Sequence, residues 1–241
     1  MLTQRNNNQT TTVNIETKDL AANFIANVFA WMGIALAITA FTAYYFASNE
    51  NLINLLFNPE TGMTILGWVV MLAPFGFVLA MGMGFQRFSA GTLTLLFGVF
   101  SVLMGASLSF ILLIYTASSV FLTFAVTAGM FGIMSFVGYT TKTDLTKFGS
   151  LMMMGLIGII IASVVNMFMH SEAFDYIISF IGVLVFTGLT AYDVQKLKRI
   201  GAGVQYGAES TKKLVIMGAL SLYLDFINLF LFLLRFLGNR R

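Results

Sequence analysis

The chain contains 241 residues, of which 58% are apolar and only 10% are charged, and its mean hydropathy is +0.88. Soluble domains carry about 25% charged residues, so most of the surface of this protein is expected to face lipid. The composition therefore excludes a secreted mini-protein, a disordered tail and a cytosolic enzyme.

Charge and cysteine content narrow the possible functions further. The net charge of +3 is typical of basic residues that orient a membrane protein, and no basic patch interleaved with aromatic residues indicates nucleic-acid binding. The chain has no cysteine and one histidine, His170, which excludes disulfides, thiolate metal sites and clustered histidine ligands. We expect no cofactor and no enzymatic activity.

Continuously apolar segments of about 20 residues predict membrane-spanning helices rather than barrel strands. Residues 1–19 are polar and lack the pattern of a cleaved signal peptide, so we expect a cytoplasmic amino-terminal segment followed by one transmembrane domain over residues 20–241. The predicted fold is an all-α integral membrane bundle of seven helices. The predicted spans are residues 22–46, 63–83, 91–115, 120–139, 150–169, 176–196 and 214–236.

The distribution of basic residues predicts the orientation of these spans. The connections after the first, third and fifth spans contain no Lys or Arg, so the other side is expected to face the cytoplasm, together with the amino terminus. Seven spans place three terminal arginines outside, which leaves a re-entrant last segment and six true spans as the alternative. Because residues 214–236 can cross a core of about 30 Å at 1.5 Å per residue, we expect seven. The ten cytoplasmic basic residues are Arg5, Lys18, Arg87, Lys142, Lys147, Lys196, Lys198, Arg199, Lys212 and Lys213, and the three terminal ones are Arg235, Arg240 and Arg241.

Small residues recur every fourth position in the third span, at Ser101, Gly105 and Ser109. This spacing allows two helices to approach closely in lipid. A chain with 22 glycines also produces such matches by chance, so both interpretations stay open.

Two aspartates lie within the apolar spans, where a charged side chain costs about 2.5–3.5 kcal/mol at the bilayer centre and marks a candidate functional site. Asp225 lies near the middle of the seventh span, and Asp193 lies towards the cytoplasmic end of the sixth. The alternatives are that Asp225 is a protonated structural carboxyl and that Asp193 is an interfacial residue beside Lys196.

The helical spacing indicates that the two aspartates can meet. At 1.5 Å per residue their depths differ by less than two helical turns, which modest tilt can close. Ser221 and Asn228 lie on the same face as Asp225 and form a supporting polar stripe with Gly218. Two carboxyls in a low dielectric cannot both ionise cheaply, so we expect the pair to share a proton.

The chemistry of such a pair predicts its ligands. Loss of the second proton introduces repulsion, which is relieved by helix separation or by a cation, and carboxylate oxygens suit a hard cation such as Ca²⁺. Asp193 and Asp225 are therefore also candidate Ca²⁺ ligands. Arg87, after the second span, is a candidate counter-ion, with an ordinary cytoplasmic arginine as the alternative. The acidic residues of the outer connections are more simply interpreted as solvated loop charges than as a pore mouth; they are Glu50, Glu60, Glu172 and Asp175.

Residues 218–230, which read GALSLYLDFINLF, resemble the final-helix motif of the Bax inhibitor-1 family, the transmembrane Bax inhibitor motif proteins, in its bacterial branch. Residues 191–195, which read AYDVQ, are similar to the Tyr-Asp element at the end of the family's sixth helix. The resemblance implies a seven-helix fold with the last helix central, in the bacterial inner (plasma) membrane. It also implies a pH-sensitive calcium leak in which Asp193 and Asp225 are the di-aspartyl sensor, engaged by a basic residue after the second helix, where Arg87 lies.

Two other functions also use aspartates within membrane spans. An intramembrane aspartyl protease carries its second aspartate in Gly-x-Gly-Asp, whereas here Leu222, Tyr223 and Leu224 precede Asp225. The serious alternative is a non-conducting membrane regulator that binds other membrane proteins, such as a quality-control protease. The expected partners are the lipid bilayer, Ca²⁺ and protons, and such membrane proteins under the alternative.

Overall fold

The structure is a computed structural model that describes residues 2–58, 60–204 and 207–240, with side chains from residue 19 onward. Within these residues it contains eight helices and one short β-hairpin, and seven helices are long and apolar enough to cross a membrane. The predicted all-α, seven-span fold is confirmed. The elements are α1 (Leu2–Ala47), α2 (Glu50–Leu56), β1 (Phe57–Asn58), β2 (Gly62–Met63), α3 (Ile65–Gly84), α4 (Ala90–Ile114), α5 (Ala117–Thr140), α6 (Thr146–Met169), α7 (Glu172–Ala202) and α8 (Glu209–Leu237).

Hydroxyl side chains begin several of these helices. Thr64, Ser89, Thr116 and Ser171 each accept a hydrogen bond from a backbone N–H in the first turn of the helix that follows. Such caps satisfy donors that have no partner inside the helix. The two antiparallel strands pair Phe57 with Met63 and lie in the connection between the first two spans, so they do not alter the helical bundle.

Helix α8 lies at the centre of the bundle. It packs against α1, α4, α5 and α7, and 67% of its most apolar window is buried inside the protein, compared with 11% for α6. Helix α6 packs mainly against α7 and presents most of its surface outward, as expected for a lipid-facing helix. The central position of the last helix is confirmed.

The small-residue stripe of α4 packs closely against α1. A Cβ atom placed on Gly105 would lie 2.6 Å from the Thr39 carbonyl oxygen and 2.7 Å from Thr42 Cβ. Ser101 and Ser109 are fully buried on the same face. The close-packing interpretation of this stripe is therefore confirmed, because no side chain larger than hydrogen fits at Gly105.

The carboxyl terminus resolves the question of the last span. Helix α8 is continuous, and the residues after it reach the connection between α4 and α5, where the Thr116 N–H donates to the Asn239 carbonyl at 3.1 Å and the Asn239 N–H donates to Ser119 Oγ at 3.0 Å. The last helix therefore crosses the whole bundle, and the re-entrant alternative is wrong. Arg235 is paired with Asp175 at 3.0 Å, while Arg241 lies outside the described residues.

The ends of the spans differ from the sequence prediction by a few residues. Helix α7 continues to Ala202 and α6 begins at Thr146, because polar residues at these ends extend the helices beyond the apolar windows. Helix α1 likewise extends back to Leu2, so the predicted amino-terminal segment continues the first span as helix.

Candidate functional site

Asp193 lies on α7, about 13 Å before the helix ends at Ala202 if each residue adds 1.5 Å. Its side chain is half-buried, and its Oδ2 atom accepts a hydrogen bond from Ser221 Oγ of α8 at 2.5 Å. The close packing of α7 on α5 begins two residues earlier, where a Cβ atom on Gly138 would lie 2.2 Å from the Ala191 carbonyl oxygen. Glycine at position 138 thus fixes this part of α7 deep in the bundle.

Asp225 lies one turn beyond Ser221 on α8. Its side chain is only 6% exposed, and its Oδ2 atom has no hydrogen-bond partner in the described part of the protein. Ser221, whose hydroxyl donates to Asp193 Oδ2, lies on the adjoining turn of the same helix as Asp225. The two intramembrane aspartates are therefore close enough to interact, with Ser221 between the helices.

The residues of the polar stripe on α8 make different contacts. Gly218 provides close packing, since a Cβ atom there would lie 2.7 Å from Leu197 of α7. Ser221 reaches across to Asp193, but the Asn228 amide donates to the Leu224 carbonyl of its own helix at 2.8 Å. Of the two predicted supporting residues, only Ser221 contacts an aspartate.

A cavity of about 350 Å³ lies beside Asp193. Helix α3 contributes Val78 and Gly82, α7 contributes Asp193 and Lys196, and α8 contributes Ser221, with apolar side chains completing the wall. The cavity therefore joins one carboxyl of the pair to a basic side chain near the carboxyl end of α7.

Arg87 does not line this cavity. Helix α3 ends at Gly84, and the following turn, in which the Arg87 N–H donates to the Gly84 carbonyl at 2.9 Å, leaves Arg87 exposed. Among the residues that the structure describes, no ion pair joins Arg87 to Asp193 or Asp225. Lys196, one turn from Asp193 on the same face of α7, takes the position expected of a basic neighbour.

A second network, which the sequence did not indicate, holds the carboxyl end of α7 to the connection between α5 and α6. Gln195 accepts from the Leu145 N–H and donates to the Thr143 carbonyl, both at 2.8 Å. Lys198 donates to the Tyr139 carbonyl at 2.6 Å, near the end of α5. These bonds satisfy backbone groups at helix ends and fix the helix that carries Asp193.

The start of α8 is held to the connection between α3 and α4 in the same manner. Glu209 Oε1 accepts from the Ala90 N–H at 2.6 Å, and Lys213 donates to the Phe85 carbonyl at 3.4 Å. Both helices that carry the aspartates are therefore anchored, α7 at its carboxyl end and α8 at its amino end, by side chains that bond backbone groups.

Buried hydroxyl groups anchor α8 at a further point. Tyr223 is fully buried, and its hydroxyl lies 2.7 Å from Thr39 Oγ1 of α1. Because the single hydroxyl hydrogen of Thr39 is donated to the Ser101 carbonyl at 2.9 Å, Tyr223 is the donor to Thr39. The rings of Phe97 and Phe100 pack edge-on against Tyr223, at 6.1 and 5.3 Å.

The donor set at the aspartates consists of oxygen atoms. In the part of the chain that the structure describes, no three His, Cys, Asp or Glu side chains come together to hold a metal ion. Two carboxyl groups and one hydroxyl match the ligand preference of hard cations, but they are too few for a tight cage.

Comparison with known proteins identifies the family. The family described as inhibitor of apoptosis-promoting Bax1 matches residues 21–241. The chain belongs to this family, the Bax inhibitor-1 family. The inner membrane protein YbhL of Escherichia coli K12 is 48% identical over 219 residues, which are 90% of this chain and 92% of that protein. Uncharacterised proteins of Borreliella burgdorferi and Rickettsia prowazekii are 47% and 45% identical over 218 residues, with 90% of this chain covered and 92% and 90% of theirs.

Membership of the Bax inhibitor-1 family agrees with the observed bundle. The family match begins near the start of the first span and covers all seven spans. With an inner membrane protein 48% identical to it, this chain is a multi-pass protein of the bacterial inner membrane, in contact with the lipid bilayer.

Proposed function

We propose that this protein is a passive, pH-sensitive leak pathway for Ca²⁺, in which Asp193 and Asp225 form a proton-linked gate. The observation that carries the proposal is the buried carboxyl of Asp225, whose Oδ2 atom lacks a partner in the described residues, next to a second carboxyl at a cavity. A buried polar group without a partner costs about 1–3 kcal/mol. Ionisable residues within membrane spans mark ion and proton pathways.

The proposed mechanism follows from the proximity of the two carboxyl groups. With one proton between them, the groups attract one another and α7 stays packed on α8. Loss of that proton places two negative charges in a low dielectric, and their repulsion is relieved by separation of the helices or by a cation that enters between them. Asp193, Asp225 and Ser221 then offer oxygen ligands to Ca²⁺. Weak, incomplete coordination suits a conduction pathway, because the ion must also leave.

The test is Ca²⁺ flux into proteoliposomes, measured from mildly acidic to mildly alkaline pH. The parent protein is expected to conduct in a pH-dependent manner, while Asp193→Asn and Asp225→Asn, which cannot release a carboxyl proton, are expected to give flat pH profiles. Asp144→Asn, at an aspartate outside the spans, is the control and retains the parent profile. Identical pH-independent traces in the parent and both variants would rule out the gate.

The same experiment distinguishes the proposed leak from the alternative function. Absence of any protein-dependent flux in well-folded protein would favour a non-conducting regulator that binds other membrane proteins. In that case the aspartates would set the conformation of α7 and α8 rather than line a path, and both asparagine variants would change the proteins captured with it.

A further inference from the structure

The cavity beside Asp193 contains one basic side chain, that of Lys196. Lys196 follows Asp193 by three residues, so the two side chains lie on the same face of α7. Lys196 is exposed, whereas Asp193 is half-buried and bonded to Ser221. The cavity therefore runs from an accessible ammonium group to a carboxyl inside the bundle.

Lys196 is near the aspartates without being bound to them. Lys196 lines the same cavity as Asp193, yet among the described residues it forms no ion pair within 4.0 Å. A lysine side chain is a compact charge on a flexible four-carbon stem, so its ammonium group can move between the cavity mouth and the carboxyls.

No other charged side chain of the described residues lines this cavity besides Asp193 and Lys196. Helix α3 contributes only Val78 and Gly82, and the cavity wall of α8 is apolar apart from Ser221. The lysines at the start of α8 lie elsewhere, since Lys213 bonds the Phe85 carbonyl and Lys212 lines a different cavity.

Building on the proposed function, we propose that this cavity is the cytoplasmic access path to the aspartate pair and that Lys196 is its electrostatic gate. The ammonium group repels a cation at the mouth and serves the carboxyls as a tethered counter-ion. A divalent cation that enters must displace it, and the repulsion on a divalent ion is twice that on a monovalent one at the same distance. Lys196 thus limits the rate of Ca²⁺ entry.

Charge substitutions test the gate. Lys196→Gln is expected to raise Ca²⁺ flux about fivefold at fixed pH, the factor expected for loss of one partly exposed charge interaction. Lys196→Arg retains the charge and the parent flux. Lys212→Gln, at an exposed lysine outside this cavity, is the matched control and also retains the parent flux. Equal flux in Lys196→Gln and the parent, or the same increase in Lys212→Gln, would overturn the assignment.

Chemical labelling tests the access path without any ion flux. Because the chain contains no cysteine, Lys196→Cys and the control Lys212→Cys each carry a single thiol. In inside-out vesicles a cationic methanethiosulfonate is expected to label Cys at position 196 faster than an anionic one, forming a mixed disulfide and releasing methanesulfinate. Adding Asp193→Asn lowers this preference at position 196 and leaves that of the control unchanged. An aminoethyl adduct at position 196 restores the ammonium group and the parent flux.

Ca²⁺ flux and thiol labelling test the leak and the access path separately. Charge-dependent labelling without any Ca²⁺ flux would overturn the proposed leak and support the access path. A pH-dependent leak with no labelling at position 196, or with equal rates for both reagents, would support the leak and overturn the access path.

Discussion

Tyr223 and Asp225 are two buried polar residues of the same central helix, and their surroundings are opposite. Tyr223 is 0% exposed, bonds Thr39 at 2.7 Å and is packed by aromatic rings. Asp225 is 6% exposed, and its Oδ2 atom has no partner in the described residues. Packing and hydrogen bonding fully account for the first residue and leave the second unexplained.

On this difference we base the proposal that Tyr223 is structural and Asp225 functional. A buried hydroxyl with its partner contributes to stability, whereas a buried polar atom without one costs about 1–3 kcal/mol. Residues that break a local rule at a cost in stability are expected at functional sites. The contrast therefore predicts that substitutions at Tyr223 and at Asp225 change stability in opposite directions and that only those at Asp225 alter the pH response.

The largest expected effect is that of Tyr223→Ala. Removal of a fully buried aromatic ring leaves a cavity between α8, α1 and α4 and is expected to cost about 3–5 kcal/mol, measured by unfolding in detergent. Phe168→Ala, at a ring of α6 that is 76% exposed, is the control and should have a small effect. Equal losses in the two variants would remove the distinction between central and peripheral helices.

Replacement of Asp225 is expected to have the opposite sign. Asp225→Val removes the unpartnered carboxyl from an apolar environment and should stabilise the protein by about 1–3 kcal/mol, while the pH dependence of flux is lost. Asp225→Ala controls for the larger volume of valine. Marked destabilisation in both variants would indicate a structural carboxyl and would break the comparison with Tyr223.

Tyr223→Phe isolates the hydroxyl group. The ring contacts with Phe97 and Phe100 remain, and Thr39 still donates to the Ser101 carbonyl, so only one hydrogen bond is lost. Interhelical hydrogen bonds in membranes contribute about 0.6 kcal/mol on average, and a loss of this size is expected in unfolding measurements. The pH profile of flux should stay unchanged; a shifted profile would include Tyr223 in the sensor.

Much of the fold could be predicted from the sequence because lipid imposes a simple rule. A helix must be apolar over about 20 residues to cross a bilayer, and all seven such segments became spans. The same rule singled out Asp193 and Asp225, since carboxyl groups are costly in lipid. Helical spacing placed Ser221 beside them.

Which basic side chain lines the cavity could not be predicted in this way. Arg87 follows α3, but it is exposed and forms no ion pair with either aspartate among the described residues, and the exposure of a turn residue is not visible in helical spacing. The sequence indicates Lys196 only as a neighbour of Asp193, in the alternative that makes Asp193 an interfacial residue. The bonds from Gln195 to Thr143 and Leu145 join residues about 50 positions apart, and they depend on how α7 packs against its neighbours.

The smallest effect is expected at Asp144, an exposed carboxyl in the connection between α5 and α6. Its Oδ1 atom accepts from the Thr146 hydroxyl at 2.6 Å, the Thr146 N–H at 2.9 Å and Arg199 at 2.5 Å. The hydrogen bonds from Thr146 and Arg199 hold the pKa of Asp144 well below its usual range. A carboxyl with a lowered folded pKa contributes stability above its unfolded pKa and loses it only as pH falls through the folded value.

Asp144 therefore stays ionised from mildly acidic to alkaline pH and cannot supply a pH response there. Asp144→Asn should leave the pH profile of flux unchanged. It should lower the unfolding temperature less than Tyr223→Phe does, because exposed ion pairs contribute little. A flattened profile in Asp144→Asn would indicate that the pH sensor is Asp144, at the surface of the bundle, and not Asp225 inside it. An unchanged profile leaves the missing partner of Asp225 as the property that distinguishes the sensor.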